Sequence, residues 1–378
     1  MIYDLISALI FYSLIGIFLY KNRKKVSVEY KIFFLLKTRK VLGIIEKTGN
    51  KFKKIIKVYS TIAMIAGFPF VFLSISILLQ NAFKLIIKPE SASKMSIMIP
   101  GVPTGGAVYL PLWFGMISIG IAAFIHEFSH GIAGISEGVK PKSTGIGFLL
   151  VQPLAFVEFD DKSLLSAKKI SRLRILSAGP MANISMAIIL SIFVSLIFYP
   201  AIMQNFNYDG IKLIGVEPGS PSYDAGLRQN IILTYVNGIQ VSNMTHFVSL
   251  LENIAPESEV ILSSASNHYS VKTIENPNNE SSAYLGIFFE QNWKAKNEGI
   301  LYNALLWLFN LLGWMIQINF MLGIWNFLPI LFADGGRFLY DYASYFIKDE
   351  KKTMKIVNFA NSFVIFLLIL NLFGSYIF

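Results

Sequence analysis

The chain has 378 residues, of which 54% are hydrophobic and 15% charged, and its formal net charge is +10. A soluble globular chain carries about a quarter charged residues, so this composition excludes an ordinary soluble domain and indicates a membrane protein. No cysteine is present. This excludes disulfides and thiolate metal sites, and it leaves His, Asp and Glu as the side chains that can hold a metal.

Long apolar segments, taken in chain order, predict a polytopic α-helical membrane protein with about six transmembrane helices. They comprise residues 2–20, 58–79, 111–135, 175–199, 300–327 and 356–378. The loops at 21–59, 140–174 and 337–355 are rich in Lys and Arg, and the positive-inside rule places such loops in the cytoplasm. Nucleic-acid binding is the alternative for the first loop, but no recognised fold or aromatic pattern accompanies its charge, so no nucleic-acid partner is expected.

The apolar segment 95–109 is broken by prolines and glycines, among them Pro100, Gly105 and Gly106. This density rules out a regular helix. Irregular backbone at membrane depth needs cover from protein or from a water-filled cavity, so a re-entrant hairpin is predicted. Its strand-prone residues, 97–99 in particular, are predicted to offer an edge to an extended substrate strand.

The composition changes at residues 205–299, where ten acidic residues face five basic ones. This length suits a small soluble domain, and the alternation of spans places it outside the cytoplasm. Within it, Asn237-Gly238 predicts a tight hairpin turn. His246 and His268 belong to this domain, and we expect both to be ordinary surface or structural residues.

His126, Glu127 and His130 form an H-E-x-x-H pattern within the third apolar segment. Positions four apart lie on one face of a helix, so both imidazoles can reach a single zinc ion. Glu127 is placed to take a proton from a water on that metal. The alternative is a polar contact between helices. A metal site is favoured because two of the chain's four histidines lie in this pattern, inside an apolar span where ionisable residues are costly and usually functional.

Two residues in other segments are candidates to complete the site. Asp334 follows the fifth apolar segment, where Pro329 breaks the helix and the glycines after Asp334 allow a turn that points the carboxylate inward. A helix N-cap is the alternative role for this aspartate. Asn183, at the cytoplasmic start of the fourth span, can hydrogen-bond a substrate carbonyl or its developing oxyanion, with an interhelical hydrogen bond as the alternative. His126 lies roughly 21 Å from the outer end of its span, at 1.5 Å per residue, so the site is predicted nearer the cytoplasmic side.

The order of these motifs resembles the site-2 protease family of intramembrane metalloproteases. That family pairs an H-E-x-x-H helix with a later N-x-x-P…D-G segment, which residues 326–335 match here. Residues 178–183 (A-G-P-M-A-N) resemble the family's A-G-P-x-x-N element, and residues 155–158 (A-F-V-E) resemble its cytoplasmic strand before that span. Phe332-Ala333 stands where the family commonly has leucine.

The resemblance implies one zinc ion per chain, held by His126, His130 and Asp334, with Glu127 as the catalytic base. With Asn183 as the candidate contact to the substrate, Glu127 and Asn183 are the predicted catalytic residues.

The outer domain is similar to the PDZ domains inserted in many of these proteases. The similarity is carried by residues 216–221 (V-E-P-G-S-P), 225–227 (A-G-L) and 236–238 (V-N-G), with Gln229-Asn230 in place of the usual Gly-Asp. It implies a small extracytoplasmic α+β domain that acts as a size filter or docking module.

The chain is therefore predicted to fold in four consecutive parts. They are N-terminal transmembrane helices with a basic cytoplasmic loop (1–92), the first part of a catalytic membrane core (93–204), the PDZ-like domain (205–299) and the second part of that core (300–378).

These features predict a zinc metalloendopeptidase in the lipid bilayer of a prokaryotic cell membrane, cutting the transmembrane segments of single-pass membrane proteins. Two alternatives belong to other functional classes. An inactive membrane scaffold would work through the PDZ-like domain, but the intact Glu127 argues against it because zinc binding does not need that residue. A metal transporter predicts polar residues at several depths in the spans, which the apolar segments do not show.

Overall fold

The computed structural model describes residues 2–22, 27–29, 33–89, 92–93, 95–96, 98–103, 108–149, 152–276, 279–296, 299–331 and 333–374. The chain divides into two compact units. The first, here the membrane unit, comprises Met1–Val194 and Leu308–Phe378, and the second, here the inserted unit, comprises Ser195–Trp307.

Within the described residues, six helices are long and apolar enough to cross a membrane, which agrees with the predicted polytopic fold. They are α1 (Ile2–Lys21), α3 (Lys53–Ile87), α4 (Leu112–Glu137), α6 (Lys169–Phe193), α10 (Ile300–Asn326) and α12 (Glu350–Phe373). The chain continues from α6 through a π-helical turn, Val194–Phe198, into the short helix α7 (Tyr199–Met203). Large apolar side chains such as Leu9, Ile65 and Phe359 are exposed on these helices, as expected of surfaces that face hydrocarbon.

The membrane unit also contains a sheet and three shorter helices. The helices are α2 (Leu42–Lys51), α5 (Asp161–Ser166) and α11 (Asp334–Phe346). The strands β1 (Ser27–Glu29), β2 (Phe33–Thr38), β3 (Pro141–Leu149) and β4 (Gln152–Phe159) form an antiparallel sheet in that order. The 155–158 segment lies in β4, so it is a strand, as the resemblance implied.

The basic loop 21–59 contains regular structure that the sequence did not predict, namely β1, β2 and α2. The strand β2 is short, and its pairing partner β3 lies more than a hundred residues later, with Leu36 opposite Ile146. Glycines in β3 allow this approach, since a Cβ on Gly145 would lie 2.4 Å from the Leu36 carbonyl oxygen. Such a long-range pairing leaves no local signal in a charged segment.

Small residues let the helices of the membrane unit approach closely. A Cβ on Gly49 of α2 would lie 2.6 Å from Cβ of Ile135 on α4. A Cβ on Gly323 of α10 would lie 2.5 Å from Cγ1 of Ile184 on α6. Buried apolar side chains from α3, α6, α10 and α11 then form one cluster, namely Val71, Leu173, Leu176, Ile184, Ile324, Phe327 and Phe338.

The described part of segment 95–109 is a tight turn. Gly101 has a φ of +76°, which favours glycine, and an isolated bridge joins Ile99 to Val102. The Tyr12 hydroxyl of α1 donates to the Pro100 carbonyl at 2.8 Å, so α1 holds this turn. Ile97, Gly105 and Gly106 lie outside the described residues, and the re-entrant hairpin stays a prediction.

The inserted unit has its own apolar core. Its strands are β5 (Phe206–Val216), β6 (Ile232–Leu233), β7 (Tyr235–Val236), β8 (Ile239–Gln240), β9 (Glu259–Ser263), β10 (His268–Lys272), β11 (Ile274–Asn276), β12 (Asn279–Tyr284) and β13 (Ile287–Ala295). Its helices are α8 (Pro221–Asp224) and α9 (Met244–Glu252). Fully buried side chains such as Leu213, Phe247 and Leu262 fill the core. This is an α+β unit, and its likeness to a PDZ domain stays a prediction.

The predicted hairpin turn is present between β7 and β8. Asn237 and Gly238 have φ values of +48° and +80°, the left-handed pair that a two-residue hairpin of this type requires. The two histidines of this unit make local contacts to serines: His246 Nδ1 accepts from the Ser242 amide, and His268 Nδ1 lies 2.8 Å from Ser263 Oγ.

Candidate active site

The side chains of two histidines on α4 and of the first residue of α11 meet in one cluster. The Nε2 atoms of His126 and His130 lie 3.1 Å apart. Oδ2 of Asp334 lies 3.0 Å from the first and 3.1 Å from the second. The two histidines are one turn apart on α4, and Asp334 reaches them because α10 ends at Asn326, ahead of Pro329, and the chain turns back to begin α11. The structure therefore brings together the three predicted ligands.

This cluster suits a zinc ion. Two imidazole nitrogens and one carboxylate oxygen, with a fourth position open, are the ligands that catalytic zinc takes. Donor atoms about 3 Å from one another fit around an ion with bonds of roughly 2.0–2.2 Å. His130 Nδ1 lies 2.7 Å from the Ile175 carbonyl oxygen, so that nitrogen carries the ring proton and Nε2 is free to coordinate. His126 Nδ1 is buried without a hydrogen-bond partner among the described residues.

The glycines after Asp334 do not form the turn that was predicted from the sequence. Gly335 and Gly336 lie in the first helical turn of α11 rather than in a loop. A Cβ on Gly335 would lie 2.3 Å from the Leu328 carbonyl oxygen, and one on Gly336 would lie 2.3 Å from that of Ile330. The glycines therefore let the start of α11 lie against the end of the α10 segment, and this close approach positions Asp334.

Gly179 on α6 leaves the space that the His130 ring occupies. A Cβ at this position would lie 2.4 Å from His130 Nε2, the predicted coordinating atom. The glycine of the A-G-P-x-x-N element thus leaves room for the ring of a predicted metal ligand, in addition to allowing two helices to approach.

Glu127 lies beside the cluster and is held by strand β4. Its Oε2 atom accepts a hydrogen bond from the Val157 amide at 2.9 Å. The side chain also lines a cavity of about 350 Å³ together with His126. One carboxylate oxygen is therefore fixed by the backbone of β4, while the residue faces the space next to the metal ligands.

Asn183 lines the same cavity from α6. The residue is fully buried, and neither its Nδ2 nor its Oδ1 has a hydrogen-bond partner among the described residues. An unsatisfied buried amide is costly unless something binds it. The interhelical hydrogen bond that was the alternative for Asn183 is not found among the described residues.

The rest of the cavity wall is largely apolar, and among its residues the sequence had drawn attention only to Met98, Ala155 and Asn326, as members of the segments 97–99, 155–158 and 326–335. It includes Met98, Leu110, Ile119, Ala123, Leu154, Ala155, Ile318, Met321, Leu322 and Trp325, with Asn326 as a further polar member. Ala123 lies one turn before His126, so helix periodicity is a signal that could have identified it. Trp325 and Met321 lie in an apolar run of the sequence, and only the packing of the helices decides which of its side chains face the cavity.

Comparison with known proteins agrees with this arrangement. A sequence model described as Peptidase family M50 matches residues 114–370. An uncharacterised protein of Methanocaldococcus jannaschii is 30% identical over 340 residues, which cover 85% of this chain and 81% of that protein. A membrane-bound transcription factor site-2 protease homolog of Arabidopsis thaliana is 25% identical over 209 residues, which cover 54% of this chain and 39% of that protein.

The H-E-x-x-H helix, the nearby carboxylate and the apolar helices together define a membrane metallopeptidase. Because the family match covers well over half of the sequence, the chain belongs to Peptidase family M50, the site-2 protease family.

Proposed function

We propose that this protein is an intramembrane zinc metalloprotease that cleaves the transmembrane segments of single-pass membrane proteins. One observation carries the proposal. The ligand atoms of His126 and His130, on a helix suited to a membrane, lie within about 3 Å of each other and of the Asp334 carboxylate, and His126 lines an apolar cavity that Glu127 also lines.

His126, His130 and Asp334 would hold one zinc ion per chain. When bound, the metal would polarise a peptide carbonyl and lower the pKa of water. Glu127 takes and returns the protons of hydrolysis, with its orientation fixed by the Val157 amide. Asn183 donates its amide to the substrate carbonyl oxygen, which supplies the missing partner of that buried side chain.

The substrate is presented as an extended strand, because a helix shields its own peptide bonds. The free edge of β4 is better placed for this pairing than residues 97–99, of which Ile97 lies outside the described residues. β4 ends the described sheet, and its Val157 amide points away from β3 toward Glu127. In an antiparallel strand alternate residues face the same edge, so the Ala155 backbone also faces outward. Ala155 lines the cavity that Glu127 also lines, so its outward-facing donor and acceptor would be available to a substrate strand there.

The inserted unit would serve as a PDZ-like filter or docking module on the extracytoplasmic side. Its acidic composition and the basic loops of the membrane unit support this orientation, with the active site nearer the cytoplasm of a prokaryotic cell.

The test compares the purified full chain with two variants. Wild-type protein should hold one zinc per chain by elemental analysis and cut a model single-pass substrate in detergent. Glu127→Gln should keep the zinc but lose cleavage, since an amide cannot accept the proton. His126→Ala should lose the metal and cleavage together.

Three outcomes would oppose the proposal. Zinc retained in His126→Ala would remove the metal site, and cleavage retained in Glu127→Gln above about a tenth of wild type would assign the base elsewhere. Zinc uptake into sealed vesicles by both wild type and Glu127→Gln, without cleavage by either, would favour a transporter.

A further inference from the structure

A second cavity lies in the membrane unit among α5, α6, α11 and α12. It has a volume of about 280 Å³, and none of the described residues that line it lines the cavity beside Glu127. Leu176 and Val357 form a buried apolar floor. The rim carries apolar side chains that stay exposed, with Leu165 at 70%, Leu331 at 49% and Met354 at 44%. An open apolar cavity with an apolar rim indicates a binding site.

The charged groups in this cavity leave one cation uncompensated. Asp341 is buried and accepts from Arg172, with Oδ2 2.9 Å from Arg172 Nε, so those two charges offset each other. Arg337 also lines the cavity, and its exposed side chain has no hydrogen-bond or ion-pair partner among the described residues. The cavity therefore combines an apolar interior with a free guanidinium.

The cavity lies at the ends of the spans where basic residues concentrate. Arg172 is in the first turn of α6, and Met354 and Val357 are in the first two turns of α12. Basic side chains follow Arg337 at Lys348, Lys351, Lys352 and Lys355. Of the two acids beside them, Asp349 caps α12 by accepting from the backbone amides of Lys351 and Lys352, and Glu350 occupies the first turn of that helix. Helix ends that carry basic residues beside apolar ones lie where a membrane helix bundle meets the lipid headgroups.

We propose that this cavity binds an anionic phospholipid. The phosphodiester, whose charge no headgroup cation offsets in such a lipid, pairs with the Arg337 guanidinium, and an acyl chain lies along the floor of Leu176 and Val357. Such a lipid contacts both the guanidinium and the apolar floor. A free phosphate would contact only the guanidinium, and an apolar side chain would contact only the floor.

The site has a direct structural connection to the metal ligands. Gly336 forms part of the cavity wall, and Asp334 lies two residues earlier in the same first turn of α11. A lipid bound here stabilises the start of α11 and with it the position of the Asp334 carboxylate.

The test measures lipid binding rather than cleavage, so its result is independent of the proposed protease activity. The full chain is purified in a neutral detergent, and its melting temperature is followed with added short-chain phosphatidylglycerol, short-chain phosphatidylcholine or sodium phosphate. Phosphatidylglycerol should raise the melting temperature of the wild type in a saturable manner. Arg337→Gln should weaken its apparent affinity about tenfold, since a charged hydrogen-bonding group is lost, and Arg337→Lys should restore part of it. Lys348→Gln, an exposed cation outside the cavity lining, should bind like wild type.

A second pair of variants tests the location of the site. Leu165→Glu places a negative charge at the rim and should abolish the phosphatidylglycerol shift. Ile170→Glu, in the first turn of α6 and outside the cavity lining, should not. Native mass spectrometry counts the bound phosphatidylglycerol in every variant that folds. The proposal is overturned if phosphatidylcholine or free phosphate alone gives an equal shift, if Arg337→Gln binds like wild type, or if the two glutamate variants behave alike.

Discussion

Replacing Gly179 by alanine should remove the metal from an otherwise folded protein. The added Cβ would lie 2.4 Å from His130 Nε2, which is 1.0 Å short of the 3.4 Å at which ordinary contact begins. Residues around Gly179 on α6 are buried, so the helix backbone cannot easily move away. The His130 ring must yield instead, against the hydrogen bond that joins its Nδ1 to the Ile175 carbonyl at 2.7 Å.

The expected loss of zinc affinity follows from how little displacement of a ligand atom a metal site tolerates. Ligand distances in real sites stay within about 0.2 Å of their usual values, so a ring moved by about 1 Å cannot coordinate as before. Outer-shell changes that only reorient a ligand cost about 10–100-fold in metal affinity. We therefore expect Gly179→Ala to lose at least 100-fold in zinc affinity.

The assay is competition for zinc with a chromophoric chelator, using purified full-length protein in detergent. Gly120→Ala is the matched control, because Gly120 lies on α4 with His130 and its added Cβ would meet nothing within 4 Å. That control should keep its zinc and gain slightly in helix stability. Zinc affinity of Gly179→Ala within twofold of wild type would refute the assignment of His130 Nε2 as a ligand atom.

Three further predictions concern the same unit. Asn183→Ala should keep zinc but lower the cleavage rate about 100-fold, as expected for loss of one oxyanion donor; an unchanged rate would assign the amide a packing role. Ala155→Pro should slow cleavage of the model substrate while zinc content and melting temperature stay normal, because proline is tolerated at an outward-facing edge position but cannot donate to a substrate strand. Hydrogen bonds from Ser143 and then Lys37 lower the pKa of Glu158 below its ordinary 4.5, so its stabilisation is present above pH 4.5 and is lost as the pH falls through the lowered value. Glu158→Gln should flatten that part of the stability curve, and an acid unfolding profile identical to wild type would contradict it.

The sequence predicted the helices and the metal cluster well because both depend on strong, local patterns. The thickness of the hydrocarbon layer sets the length of the apolar runs, and two histidines four residues apart in a helix must share one face of it. Asp334 was harder to assign, since sequence alone supports an N-cap role equally. In the structure the cap position is Ala333, and Asp334 is the first helical residue, directed at His126 and His130.

The elements that sequence reasoning missed depend on distant pairing. Strand β2 is six residues in a charged segment, and it pairs with the three-residue strand β1 and with β3, which lies far along the chain. The helix α11 follows a proline and has two glycines in its first turn, residues that usually indicate a loop, yet these glycines allow tight backbone contact rather than a turn. Backbone groups such as the Val157 amide give no sequence signal, because every residue except proline has one.

In the proposed mechanism, strand β4 would connect the base Glu127 and the substrate through one stretch of backbone. Val157 donates to Glu127, and the neighbouring outward position, Ala155, lines the cavity next to it. A substrate strand paired with Ala155 would therefore be held in register with the carboxylate by the same rigid strand, rather than by flexible side chains. Such positioning is worth several kcal/mol in reactions of this kind, about 7–11 in the best oriented cases. Because any peptide has the backbone groups that this pairing uses, sequence selectivity must come from the apolar walls of the cavity and from how readily the substrate helix unwinds.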